Sequence, residues 1–244
     1  GDRRRRAAQA RGARERVQRV ERALAALAEL EAARARKKSK AKTPLRVSTT
    51  DREARVMKLA DGGFRPAYNL QVVSPSPAQV VVALDVDASG SDRGWLRPLL
   101  EQVHARYATR PARYLADGGD QKNADIAWAH APENGGVEVY LEPSRSKHRR
   151  DPYAPRRRDS PGVAAWRARM ATPQGQAIYQ QRGPCECVHA HLRQWGLTRL
   201  TVRGIAKVRC MALLYALANN ILQGHRLERL AAADAEAAAA AATA

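Results

Sequence analysis

The stretch ARYLADGGDQKNADIAWAHAPENGGVEVYLEP, residues 112–143, decides how the chain folds. ARYLAD reads as a buried strand, NADIAWAHA as a helix and VEVYLEP as another strand, because short apolar runs rich in β-formers flank a run with helical spacing. One acid, Asp117, stands at the end of the first strand and is followed at once by Gly118 and Gly119. A carboxylate at the carboxyl end of a strand, backed by glycines that admit close approach of backbone and ligand, is a common place for a metal ligand or a catalytic acid. The same residues also fit an ordinary turn aspartate that caps the next helix.

Upstream, AYNLQVV (67–73) and QVVVALDV (79–86) are β-rich and separated by SPSP, whose prolines cannot continue a ladder, so a hairpin is expected. SDRGWLRPLLEQVHARYA predicts a helix from Ser91 or Asp92, with Trp95, Leu99, Leu100 and Val103 on its apolar side. Pro98 is tolerated only in its first turns. Downstream of Pro143 the chain is basic and loop-like to residue 161, then helical over 163–182 and 204–223. The second of these, GIAKVRCMALLYALANNILQ, is apolar on nearly every side and is expected to be buried. Strands first paired, then alternating with helices, make an α/β fold: a mixed sheet flanked by helices. Trp95, Trp128 and Trp166 are expected in the core; His104, His130, His148 and His225 have no evident partner.

The first 42 residues are almost wholly Arg, Lys, Ala, Glu, Gln and aliphatics. Val17, Val20, Leu24, Leu27 and Leu30 recur at steps of three and four, an apolar stripe on a basic helix. RRRR (3–6) opens this segment and RARKKSKAK (34–42) closes it, so it is either a solvated helix packed on a neighbour or a contact for phosphates. The chain ends in LAAADAEAAAAAATA, to which no function is attached. The expected organisation is a basic helical segment over 1–44, a core over 45–225 and an alanine-rich tail over 226–244.

Of 244 residues, 43 are Lys or Arg and 24 Asp or Glu, a formal net charge of +19. That excess points to a polyanionic partner, nucleic acid before anionic membrane. No apolar run is judged to approach the roughly 20 residues of a membrane-spanning helix. The amino terminus shows no signal-peptide pattern, and three cysteines make no disulfide framework. A cytoplasmic protein is expected.

A second stretch adds chemistry. In IYQQRGPCECVHAHLRQWG (178–196), Tyr179, Arg182, Glu186 and Arg193 follow the spacing Y-x2-R-x3-E-x6-R. On one continuous helix these steps put an acid, two cations and a phenol on one face, suited to a metal-binding carboxylate whose neighbours grip phosphates. Gly183 and Pro184 interrupt it, and an internal proline costs about 3 kcal/mol. Either a new helix starts at Pro184, or the Tyr179 and Arg182 face is rotated off Glu186. A zinc site from Cys185, Cys187, His189 and His191 is a weaker reading, because alternate positions fan around a helix.

The spacing resembles the Y-x2-R-x3-E-x6-K signature of the DDE transposases of bacterial insertion sequences, with Arg193 in place of lysine. STTDREARVMKLADGGFRPAYNLQVV, GSDRGWLRPLLEQV, YLADGG, RDPYAPRRRDSPGVAAWRARM and RGIAKVRCMALLYALANNIL are similar, in the same order, to one subgroup of that family, over residues 45–222. The resemblance implies an RNase H-like mixed sheet flanked by helices. It implies Asp117 as second and Glu186 as third acid of a triad, with Tyr179, Arg182 and Arg193 holding the element's end. It further implies Mg²⁺ or Mn²⁺ as cofactor, double-stranded DNA at transposon ends and target as partner, and a homo-oligomer. The family's first acid lies on a first strand upstream of a basic helical insertion; no such strand precedes the basic segment here, and Asp51 and Asp85 are the nearest substitutes. The expectation is a carboxyl-terminal portion of a transposase, catalytically incomplete alone. The alternative is a non-catalytic DNA-binding protein that competes for the ends.

Overall fold

The computed structural model describes residues 2–36, 44–59, 61–145 and 151–243, with side chains to residue 241. His148 and the ends of the two basic runs at 37–43 and 146–150 lie outside them. The chain divides into two compact units, one of residues 1–69, 86–90 and 200–210, the other of 70–85, 91–199 and 211–244.

In the first unit, α1 (Asp2–Arg36) is followed by the strands β1 (Arg55–Lys58) and β2 (Phe64–Ala67). The side of α1 that is buried follows only the later part of the predicted stripe, where Leu27 and Leu30 are half-buried. Ala23 and Ala26 are buried, whereas Val17, Val20 and Leu24 are exposed. Ala23 stands four and seven residues before Leu27 and Leu30 and so shares their side of the helix, and the small alanine side chains allow closer approach. β1 and β2 form an antiparallel hairpin, Arg55 opposite Ala67 and Lys58 opposite Phe64, closed by a turn in which Gly62 takes a left-handed φ of 81°.

In the second unit, β3 (Asn69–Val73) pairs with β4 (Ala83–Asp87), and the Val82 amide donates to the Val73 carbonyl at 2.9 Å, the expected hairpin. The following helix, α2 (Leu96–Tyr107), starts later than Ser91. Residues 92–95 form a turn first, with the Trp95 amide on the Asp92 carbonyl, and Pro98 then falls in the first helical turn, where its missing N–H has no intrahelical partner to lose. Next come β5 (Arg113–Leu115), α3 (Asn123–His130) and β6 (Glu138–Tyr140), the strand, helix and strand that residues 112–143 predict. β5 and β6 are parallel, with Tyr114 opposite Val139; such a pair requires a crossover, and α3 provides it.

The core of this unit gathers Leu96, Leu100, Ile126, Val139, Leu141, Trp166 and Met170. Trp166 is fully buried and its indole N–H donates to the Leu141 carbonyl at 3.1 Å. Trp95 and Trp128 are only half-buried; Trp128 is covered by the guanidinium groups of Arg97 and Arg110, about 5 Å from its ring centre. The predicted helical run 163–182 is split into α4 (Pro161–Met170) and α5 (Pro173–Gln180). Thr172 caps the second, accepting from the Gly175 amide at 2.9 Å, and Pro173 cannot donate back into α4. A Cβ on Gly175 would run into the Arg169 carbonyl oxygen, so the corner needs glycine. Two more helices follow, α6 (Gly183–Gln194) and α7 (Ile205–Thr243).

Two expectations need correction. Among the described residues no single mixed sheet forms: there are three separate two-stranded sheets, because no described strand joins the β3–β4 pair to the β5–β6 pair. α7 is not buried all round, since Leu213, Leu214, Leu217, Ile221 and Leu222 are exposed. By length and composition alone its span Ile205–Ala241 is also apolar enough to cross a bilayer, contrary to the estimate from sequence, because the aliphatics of residues 205–222 outweigh Lys207 and Arg209.

Candidate functional site

Asp117 occupies the end of β5 in extended backbone, φ −71° and ψ 157°. The Ala116 amide still donates to the Tyr140 carbonyl at 3.1 Å, so the strand pairing runs up to the residue before it. A Cβ on Gly118 would lie 2.9 Å from the Glu142 carbonyl oxygen. Two stretches of main chain thus close against each other behind the acid, and glycine is what lets them. Asp117 precedes a 3₁₀ turn (Gly118–Asp120) but makes no side-chain cap to it, and α3 is preceded by Lys122. The carboxylate is therefore not spent on capping; its side chain is 73% exposed.

What Asp117 meets is Arg182. The guanidinium Nε donates to its Oδ1 at 3.0 Å, across 65 residues of sequence, and the same guanidinium lies 4.5 Å over the Tyr179 ring. The interruption at Gly183 and Pro184 is resolved by the first of the two predicted routes. α5 ends at Gln180, the Arg182 amide bonds the Tyr179 carbonyl at 3.2 Å in a tightened turn, and α6 begins at Gly183 with Pro184 in its first turn. Arg182 keeps right-handed backbone, φ −71° and ψ −16°, so Tyr179 and Arg182 stay stacked.

Glu186 sits in the first turn of α6, where the helix dipole favours a carboxylate, and is exposed. Arg193 lies in the last turn, bonding the His189 carbonyl at 3.2 Å. Two shared neighbours bring the acids into one electrostatic environment. Burial raises the Tyr179 phenol above its usual pKa, Arg182 opposes this, and the charges of Asp117, Glu142 and Glu186 push it further up. Burial lowers the His189 imidazole, Arg193 lowers it more, and Asp92, Asp117 and Glu186 pull it back.

Two neighbours are not evident in sequence, Asp92 and Asp120, and His189 enters there only as a zinc candidate. Asp120 follows Asp117 by three residues, and the 3₁₀ turn folds it back, its amide bonding the Asp117 carbonyl at 3.1 Å. Burial, then the charges of Asp92 and Asp117, push its carboxyl up to about 7. Asp92 in turn accepts from Gln71 Nε2 at 2.7 Å. The repeated acid in DGGD was the available signal for Asp120.

The substitute acids are differently employed. Asp51 accepts from the Tyr68 hydroxyl at 2.9 Å, the Gly204 amide at 3.0 Å and the Glu53 amide at 3.2 Å. Glu53 accepts from the Ile205 amide at 2.7 Å, so the pair ties the start of α7 to the segment before β1. Asp85 lies half-buried in β4. Cys185, Cys187 and Cys210 are free thiols. Among the described residues no three His, Cys, Asp or Glu side chains are close enough to hold a metal ion, zinc included. Asp117 and Glu186 are hard oxygen donors of the kind Mg²⁺ or Mn²⁺ takes, but one Asp117 oxygen is engaged by Arg182 and no third described ligand joins them. Among the described residues the two acids do not by themselves make a metal site.

A family model described as Transposase DDE domain matches residues 31–221, well over half of the chain. No curated protein and no solved structure matches it.

Proposed function

Because the chain belongs to the Transposase DDE domain family, we propose that it acts on the ends of a bacterial insertion sequence, in the subgroup whose Y-x2-R-x3-E-x6-K/R spacing it carries. The observation behind this reading is the Arg182 bridge, which joins the Asp117 strand end to the Tyr179–Glu186 segment. In this reading Asp117 and Glu186 are the carboxylates that hold divalent metal for strand cleavage and transfer, and a further carboxylate must join them. Arg182 balances the charge of Asp117 and, stacked on Tyr179, presents a planar guanidinium suited to a phosphate. Arg193 adds a second cation on α6. The net charge of +19, with Arg3 to Arg6 exposed on α1, supplies the long-range attraction to cytoplasmic DNA.

A second reading rests on the basic charge alone: the chain binds element ends without cutting them and competes with an active copy. The test is to incubate the protein with a duplex carrying the terminal sequences of its own element, with Mg²⁺ or Mn²⁺, and to score nicks and strand joining on denaturing gels alongside binding by fluorescence anisotropy. Nicking that disappears in Asp117→Asn and Glu186→Gln supports the enzyme. Specific, salt-sensitive binding without nicks supports the competitor. Binding that ignores salt would sink both, because counterion release dominates phosphate contact.

A further inference from the structure

The last turn before α4 is fixed by a buried ion pair. Asp159 accepts from Arg167 Nε at 2.8 Å with both side chains out of water, and from the Arg156 amide at 3.0 Å. Its own amide closes the turn on the Arg156 carbonyl at 2.9 Å. Arg157 and Arg158 occupy the two corners. Both are exposed, and neither makes a hydrogen bond or an ion pair with a described residue. The anchor therefore holds two like charges side by side, which an anion from outside would relieve.

Arg158 borders a cavity of about 210 Å³ that is also lined by the first turn of α3 and the start of α4. The groups around it are donors. The Ser144 amide donates to Gln121 Oε1 at 2.7 Å, which leaves Gln121 Nε2 to donate to Asn123 Oδ1 at 3.1 Å. With its oxygen taken, Asn123 keeps Nδ2 to donate. The Ser160 hydroxyl is buried and has no hydrogen-bond partner among the described residues. α3 and α4 both begin without a side-chain cap, so the first-turn amides of each still lack a side-chain acceptor. The one carboxylate in the lining, Asp159, is already matched by Arg167.

We infer that this cavity takes a phosphate group, gripped by the Arg158 guanidinium and held by the Asn123 amide and the Ser160 hydroxyl. A guanidinium, an amide and a hydroxyl, with no free carboxylate beside them, suit a charged ligand that only accepts hydrogen bonds. The volume of 210 Å³ equals about seven waters, which leaves room beside the phosphate for part of an ester substituent. The phosphate comes either from a nucleic-acid backbone or from a free phosphate ester. The site is built from residues other than Tyr179, Arg182 and Arg193 and does not rest on the catalytic reading.

The test compares two variants of the full chain that remove the same charge from the same turn, since Arg158 borders the cavity and Arg157 does not. By fluorescence anisotropy with a labelled duplex of arbitrary sequence, Arg158→Ala should weaken binding at least about fivefold more than Arg157→Ala, and Ser160→Ala should shift it in the same direction with an unchanged circular dichroism spectrum. That result assigns the cavity to a backbone phosphate. Phosphorus NMR of inorganic phosphate checks the other source. Broadening by the parent chain at millimolar phosphate, kept in Arg157→Ala and abolished in Arg158→Ala, with equal duplex affinity in the two variants, assigns the cavity to a free phosphate ester. Equal duplex affinities without broadening, or with broadening indifferent to Arg158, overturn the site. Should Arg158→Ala fail to fold, Ser160→Ala, which removes a single hydroxyl, carries both readouts.

Discussion

Two arginine–aspartate pairs hold nearly the same geometry in opposite surroundings. Arg167 Nε meets Asp159 Oδ2 at 2.8 Å with both side chains almost fully buried, 0% and 4% exposed. Arg182 Nε meets Asp117 Oδ1 at 3.0 Å with the aspartate largely in water. In the first, each charge has left water; Arg167 also donates to the Pro152 carbonyl at 2.5 Å, and Asp159 accepts from the Arg156 amide at 3.0 Å. In the second, water screens both groups, so the contact is weak and exchangeable. The lesson is that burial, not distance, separates a pair that belongs to the fold from one available to a ligand.

The comparison breaks most easily at the buried pair. Arg167→Ala should cost about 3–5 kcal/mol, because it strands the Asp159 charge in the interior; a thermal unfolding midpoint close to that of the parent would remove the distinction. Asp51→Ala should cost less, about 1–2 kcal/mol, since it leaves the Tyr68 hydroxyl and the Gly204 amide without their acceptor, and urea titration should register it as a shift in midpoint with unchanged slope.

Asp120 sharpens the contrast through pH. Its carboxyl titrates near 7 in the folded chain against an ordinary 3.8. A raised folded value means the protonated form is favoured by folding, so its contribution is present below pH 4 and is lost as pH rises through 7. Asp120→Asn should match the parent at pH 4 and exceed it by on the order of 1 kcal/mol at pH 8; parallel stability–pH curves for the two proteins would contradict the assignment. The smallest effect on stability belongs to Arg182→Ala, under about 1 kcal/mol. Its consequence should appear in binding instead, as weaker DNA affinity and a salt slope reduced by about one. Loss of stability comparable to Arg167→Ala would place Arg182 in the fold and not at a site.

What could be read in advance follows from how local each feature is. The β5–α3–β6 unit was legible because each element is specified by its own residues and the connection is short. The pairing of Asp117 with the Tyr179–Glu186 segment was legible only through the family resemblance, since nothing local says that residues 117 and 182 meet. Thr172 and Pro173 signal the break between α4 and α5 but were outweighed by the helical run around them. On α1 the stripe was legible only in its later part, at Leu27 and Leu30, because alanine scores as apolar without announcing which side packs. Asp92 and His189 could not be identified as neighbours of Asp117, because the turn before α2 and the orientation of α6 bring them there.

The two glycines behind Asp117 look interchangeable on paper and are not. Position 118 faces a backbone oxygen that cannot swing aside, whereas the nearest atom to a Cβ at 119 is Asp92 Oδ2 at 3.6 Å, an ordinary contact. Randomising both codons and sorting for soluble expression should return glycine almost uniformly at 118 and a mixture at 119. The acid is then held in register by a missing methyl group rather than by a hinge, and the DGGD turn has one spare position at which a reporter or a tuning side chain could be introduced beside the carboxylates.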